Sequence, residues 1–198
     1  MDEIQSQSDP TGRIAMMRGS VICVIASLFF LSVVSGCSGS PPIKQSAKLI
    51  DLEKIRQQAQ YMSQCLIKGD YEKWAEFAHP KLVEMMGGRA NMIAESKKMM
   101  DGLKKEDIEI LSFVVQLPKE VIGTDPDLAV ILPNSVRMRL RKKVITQSAF
   151  LLAVSSDSGV TWSLVDGAQL TPEMMQKVLP PSLQKIKVPG VPEPTLEK

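Results

Sequence analysis

A chain of 198 residues with 44% hydrophobic content is long enough for one ordinary core with tails. Its 24 Lys and Arg against 22 Asp and Glu leave a formal charge of +2, too mild a balance for a fold built to grip nucleic acid. Of the three cysteines, Cys23 and Cys37 belong to the N-terminal apolar stretch and its end, and Cys65 stands apart from them.

Met1–Ala15 is polar and acidic, a poor opening for a secretion signal, and Met16 or Met17 would make a better start. Arg18 then precedes the apolar run Val21–Val34, which is short for a membrane span and the right size for the hydrophobic part of a signal. The run ends in Val34-Ser35-Gly36-Cys37. This tetrapeptide resembles the lipobox of bacterial lipoproteins, in which the cysteine is acylated through its thiol and becomes the new amino terminus. The resemblance implies a signal peptide over residues 1–36, lipidation at Cys37 and attachment to a membrane. Ser38 in place of an aspartate implies the outer membrane, facing the periplasm, if the source is Gram-negative. Residues 37–46, small, polar and proline-containing, read as the lipidated cysteine and a flexible tether.

From Ala47 onward Leu49, Leu52, Ile55, Ala59, Met62 and Leu66 recur at helical spacing, so one long amphipathic helix is expected up to Gly69. Cys65 falls on this apolar pattern, which favours a buried, inert thiol over a reactive one. Asp70 can cap a second helix carrying Trp74 and Phe77, His79-Pro80 stops it, and Pro80 opens a further turn through Met86. After Gly87-Gly88 another helix runs from Arg89 to Asp101 with Met92, Ser96, Met99 and Leu103 on one face.

Beyond Lys105 the period changes to that of strands. Ile108–Gln116, apolar on both faces in its later half, predicts a central, covered strand. Leu128–Leu132 predicts a short strand ended by Pro133-Asn134. Val136, Met138 and Leu140 alternate with Arg137, Arg139 and Arg141, so one face should be apolar and the other basic, with Lys142-Lys143 as the turn. Strands at Ile145–Ser155 and Thr161–Asp166 and a helix from Thr171-Pro172 to Leu179 complete the pattern. The proline-rich tail, residues 180–198, is expected to be extended or disordered. The expected core is Leu52, Ile55, Met62, Leu66, Trp74, Phe77, Ile110, Phe113, Met138, Leu140, Phe150, Leu152 and Leu164.

Helices followed by a meander of long antiparallel strands make an α+β layout with helices packed on a curved sheet. The segment from Lys68 to Pro80, its continuation to Gly88 and the ending Trp162-Ser-Leu-Val-Asp-Gly167 resemble NTF2-like proteins of the cystatin-like cone. The resemblance spans residues 47–179 and implies a conical pocket that serves small-molecule enzymes in some members and binding or assembly modules in others. Fold alone does not choose between them.

His79, the single histidine, is a candidate general base or a helix-end cap. Asp166 is a candidate acid beside the pocket or a strand-end turn former. Arg137, Arg139, Arg141, Lys142 and Lys143 are a candidate surface for anionic partners or a solvated sheet face. No zinc spacing, phosphate loop or nucleophile motif appears, and no metal or cofactor is implied. The sequence reads as a lipid-anchored envelope protein carrying a non-catalytic binding or assembly module, its partner an envelope protein or small molecule. The alternative is an isomerase, dehydratase or hydrolase using the cone.

Overall fold

Helix α1 (Leu52–Lys68) begins where the Asp51 carboxylate accepts the Lys54 N–H at 3.1 Å. It ends at Gly69, whose φ of 80° is the left-handed conformation that a C-terminal cap favours. Asp70 caps α2 (Tyr71–Glu76) in turn. These termini and all that follows come from a computed structural model that describes residues 49–197. The expected signal, the Met16 or Met17 start, Cys37 and the tether lie outside the described residues.

Two further helices, α3 (Pro80–Met85) and α4 (Arg89–Lys105), precede the sheet. The buried stripe of α4 is Met92, Ser96 and Met100, so the helix is turned from the expected face and Met99 is half exposed. The sheet is antiparallel and curled, giving an α+β architecture. Its spine is the long pair β3 (Asp127–Leu140) and β4 (Lys143–Ser155). On one side of this spine lie β1 (Ile108–Val115) and β2 (Ile122–Thr124); on the other lie β5 (Ser163–Asp166) and β6 (Thr195–Leu196). Residues 77–79 run beside β5, with the Leu164 N–H donating to Phe77 O and the His79 N–H to Leu164 O.

Alternation along β3 and β4 sends side chains into a core on each face. Ile55, Ala59 and Met62 of α1 pack over Val130, Leu132, Leu151, Ala153 and Leu164. On the opposite face Ala129, Phe150, Leu152, Val154 and Val165 are closed over by α5 (Pro172–Val178) and by Leu179 and Leu183. The second core is the main surprise. Its cover includes the proline-rich tail: Leu183 is fully buried, Ile186 and Val188 pack against the cluster, and the chain then runs on to β6. The tail from Pro180 is therefore packed through Val188, with a 3-10 turn at Pro181–Leu183, and runs exposed from there to β6.

The remaining corrections have local causes. β3 does not stop at Pro133, because its carbonyl still accepts the Gln116 N–H at 2.8 Å and its missing N–H falls where β1 has run out. β1 is an edge strand rather than a central one, and its outer backbone is served by α1: Gln60 Nε2 donates to Phe113 O and the Val115 N–H donates to Gln60 Oε1. Of the expected core, Ile55, Met62, Phe150, Leu152 and Leu164 are buried, while Leu52, Trp74, Phe77 and Phe113 pack as its half-buried rim. Leu66, Ile110 and Met138 are half-buried, and Leu140 is exposed at the projecting end of the hairpin.

Candidate functional site

The proline after His79 forces that residue into extended geometry, φ −62° and ψ 131°, and makes it the cap of α3. Its Nδ1 accepts the Lys81 N–H at 3.2 Å, which places the ring proton of the neutral form on Nε2. The ring is buried, and burial, with Lys81 nearby, holds its pKa below the usual histidine value. A neutral imidazole with its acceptor nitrogen already occupied serves as a helix cap.

Asp166 ends β5, and its carboxylate accepts the Ala168 N–H at 3.0 Å to cap the short turn Gly167–Gln169. Desolvation by the surrounding chain raises its pKa. No hydrogen bond joins Asp166 to His79, and the two cap separate turns.

Neither of two clefts on the body is lined by His79 or Asp166. One, of about 270 Å³, has an apolar floor of Ile67, Met100, Leu103, Ile108 and Ile110 with Lys104, Asp107 and Glu109 at its rim. The other, of about 580 Å³, lies at the start of α1 between Leu49–Asp51 and the Gly159–Trp162 turn. Between α1 and the sheet, where a cone would hold its ligand, the described side chains form a packed core.

The basic strand is divided by its neighbours. Arg137 binds the Glu197 carboxylate through Nε at 2.8 Å and Nη2 at 2.6 Å, and Arg139 pairs with Glu109. Glu197 is held down to a pKa of about 2 by its bonds to Arg137 and to the Thr146 hydroxyl. Arg141 does not share the strand face with the other two: it sits in the turn with φ 55°, followed by Lys142, and Lys143 already pairs with Leu140 as the first residue of β4. Among the described residues, Arg141, Lys142 and Lys143 have no acidic partner and are exposed at the hairpin tip.

Asn134 was not legible as a special position. It lies on the same face of β3 as Val130 and Leu132, is 3% exposed, and its Oδ1 has no donor among the described residues. The signal was a polar residue in an inward-facing register, hidden by reading Pro133-Asn134 as a strand end. Cys65 is free and buried, as its helical position implies. Among the described residues no group of three or more His, Cys, Asp or Glu side chains could hold a metal ion, and no helix is long and apolar enough to cross a membrane.

No family model, curated protein or solved structure matches the chain.

Proposed function

We propose that this chain is a bacterial lipoprotein, anchored to the cell envelope through acylated Cys37, whose NTF2-like domain acts as a non-catalytic binding or assembly module. The anchor rests on Val34-Ser35-Gly36-Cys37 and the apolar run before it. The module reading rests on one observation above the others: His79 and Asp166, the two groups best suited to acid–base chemistry, cap separate turns and line neither cleft. The polarity of the body favours the same reading. Ile50, near the start of the described chain, lines one cleft together with Gly159 of the β4–β5 turn, whereas Arg141 and Lys142 lie at the other end of β4. Thirteen residues of strand separate these ends, about 40 Å at the usual rise. A body attached through Leu49 thus carries the cluster Arg141–Lys143 at the end remote from the attachment, where an acidic partner can meet it.

Labelling growing cells with a palmitate analogue tests the anchor: the wild-type chain should take up label and Cys37→Ala should not. Label on the variant, or an unlipidated mature protein beginning elsewhere, overturns the assignment. A pull-down from detergent-solubilised envelopes then tests the module, with loss of the partner on replacing Lys142 and Lys143 by Gln as the expected result. Turnover of a small-molecule substrate abolished by His79→Asn would replace the reading with an enzymatic one.

A further inference from the structure

The tail leaves the second core after Val188 and pairs with the sheet again at Thr195–Leu196, on the edge of β4 opposite β3. Leu196 pairs with Ile145 and Thr195 with Thr146, and the Glu197 N–H donates to Val144 O at 2.9 Å. Gln147 Nε2 reaches Pro192 O at 2.7 Å. The Glu197 carboxylate is gripped on two sides, by the Nε–Nη2 edge of the Arg137 guanidinium and by Thr146 Oγ1 at 2.7 Å. This is a strand edge with a carboxylate receptor built beside it.

The tail holds the edge lightly. Its ladder is two residues long, Leu196 is 57% exposed, and the Arg137–Glu197 pair is itself open to water. The contact is also incomplete in charge. β6 runs antiparallel to β4, so a strand continuing past the position of Glu197 advances along Lys143 toward Lys142 and Arg141. Those cations have no acidic partner among the described residues, and the chain's own residue after Glu197 is a lysine.

We propose that the β4 edge over Val144–Gln147 is a docking site for an extended, acidic segment of a partner protein, and that the chain's tail occupies it as a displaceable placeholder. The partner adds a strand through the backbone groups that Thr195–Glu197 now use. It sets one carboxylate on Arg137 and Thr146 and brings further carboxylates to Lys143 and the tip. A second copy of this chain is the weaker occupant. Its identical tail offers no additional contact and must compete with a tail already held at millimolar effective concentration. This inference rests on the binding-module reading and is independent of acylation at Cys37.

The test uses the full chain in detergent and a fluorescent peptide, VPEPTLEEE, which keeps the tail pattern and adds acids. Glu197→Ala, which loosens the placeholder, should bind it at least tenfold more tightly than the wild-type chain. Arg137→Gln, or Lys142→Gln with Lys143→Gln, should reverse that gain. Replacing the three terminal acids of the peptide by Gln, or N-methylating the first of them to remove the N–H that reaches Val144 O, should each weaken binding at least tenfold. The substituted side chains are exposed, and an unchanged thermal midpoint verifies that each variant is folded. Equal binding by wild type and Glu197→Ala, or indifference to the N-methyl group, overturns the proposal. So does a dimer that forms on loosening the tail without capture of the peptide, which would assign the edge to a second copy. Any of these failures leaves the palmitate and pull-down results standing on their own.

Discussion

Gly167 lies against the ring of Phe150 so closely that a Cβ on Gly167 would come within 2.4 Å of Phe150 Cε2 and 2.5 Å of Cδ2 and Cζ. The ring cannot retreat easily, because Phe150 is 2% exposed in the core closed by α5 and the tail. Gly167→Ala should therefore destabilise the protein by about 1–3 kcal/mol, the usual cost of overpacking. Urea unfolding measures it. The double variant with Phe150→Leu should lose less than the sum of the two single changes, since each relieves the other's strain. Additive losses would mean that the two positions do not touch.

How legible this fold was in the sequence can be judged position by position. Gly69, Asp70 and Thr171 announce helix ends because caps are local chemistry, and the structure uses all three; the Asp51 cap, which starts α1 at Leu52 rather than at Ala47 and leaves Leu49 exposed, is hidden inside the apolar pattern. Pro133 misled because its cost depends on whether a neighbouring strand needs its N–H, which is a tertiary fact. Proline content likewise fixes an extended tail, but whether Leu183, Ile186 and Val188 find a surface depends on a second core that no local pattern announces. The basic strand was legible as a face but not as a site. Its partners Glu109 and Glu197 come from distant parts of the chain, and Arg141 leaves the face through a positive φ at the turn. His79 and Asp166 were legible both as titratable residues and as a helix-end group and a turn former; that His79 would start α3 rather than end α2 was not.

His79 gives the molecule an acid-sensitive cap. Its folded pKa is lowered from 6.5, so the unfolded chain takes up this proton at a higher pH than the folded one. The stability from the buried neutral ring is thus fully present above about pH 6.5 and is lost as pH falls from there through the folded value. The pull of the Lys81 N–H toward Nδ1 works in the same direction. His79→Asn keeps a capping side chain without a titrating ring. Urea midpoints measured at about pH 7.5 and pH 5 should fall further for the wild type than for the variant. Parallel falls would place the acid sensitivity elsewhere.

Asn134 carries a buried acceptor with nothing among the described residues to satisfy it. An unmet acceptor costs about 1–3 kcal/mol, and valine supplies a β-branched side chain that suits a strand and has no such group. Asn134→Val should be neutral or stabilising by up to about 1 kcal/mol, read as a rise in thermal midpoint. A loss of more than about 1 kcal/mol would indicate that Oδ1 accepts a bond from a bound water or ligand.

Gln60 closes the outer edge of β1 by offering a donor and an acceptor at once. Its Nε2 donates to Phe113 O at 2.8 Å while Oε1 accepts the Val115 N–H at 2.9 Å, and Arg56 Nη1 reaches Val115 O at 3.4 Å. Gln60→Glu preserves size and the acceptor, but at neutral pH it turns a second oxygen toward the Phe113 carbonyl. Two acceptors then face each other across a half-buried contact, so the variant should lose about 1–2 kcal/mol near pH 7. Protonation restores the missing donor, because a carboxylic acid can give its O–H to Phe113 O while its other oxygen still takes the Val115 N–H. The introduced group therefore has a raised folded pKa, and the deficit relative to wild type should shrink as pH falls toward about 4. Gln60→Met, which lacks both functions, should show a deficit that stays constant over the same range. If the Glu variant's deficit were equally independent of pH, the amide would not be bridging the strand edge, and β1 would be held to α1 by apolar packing alone.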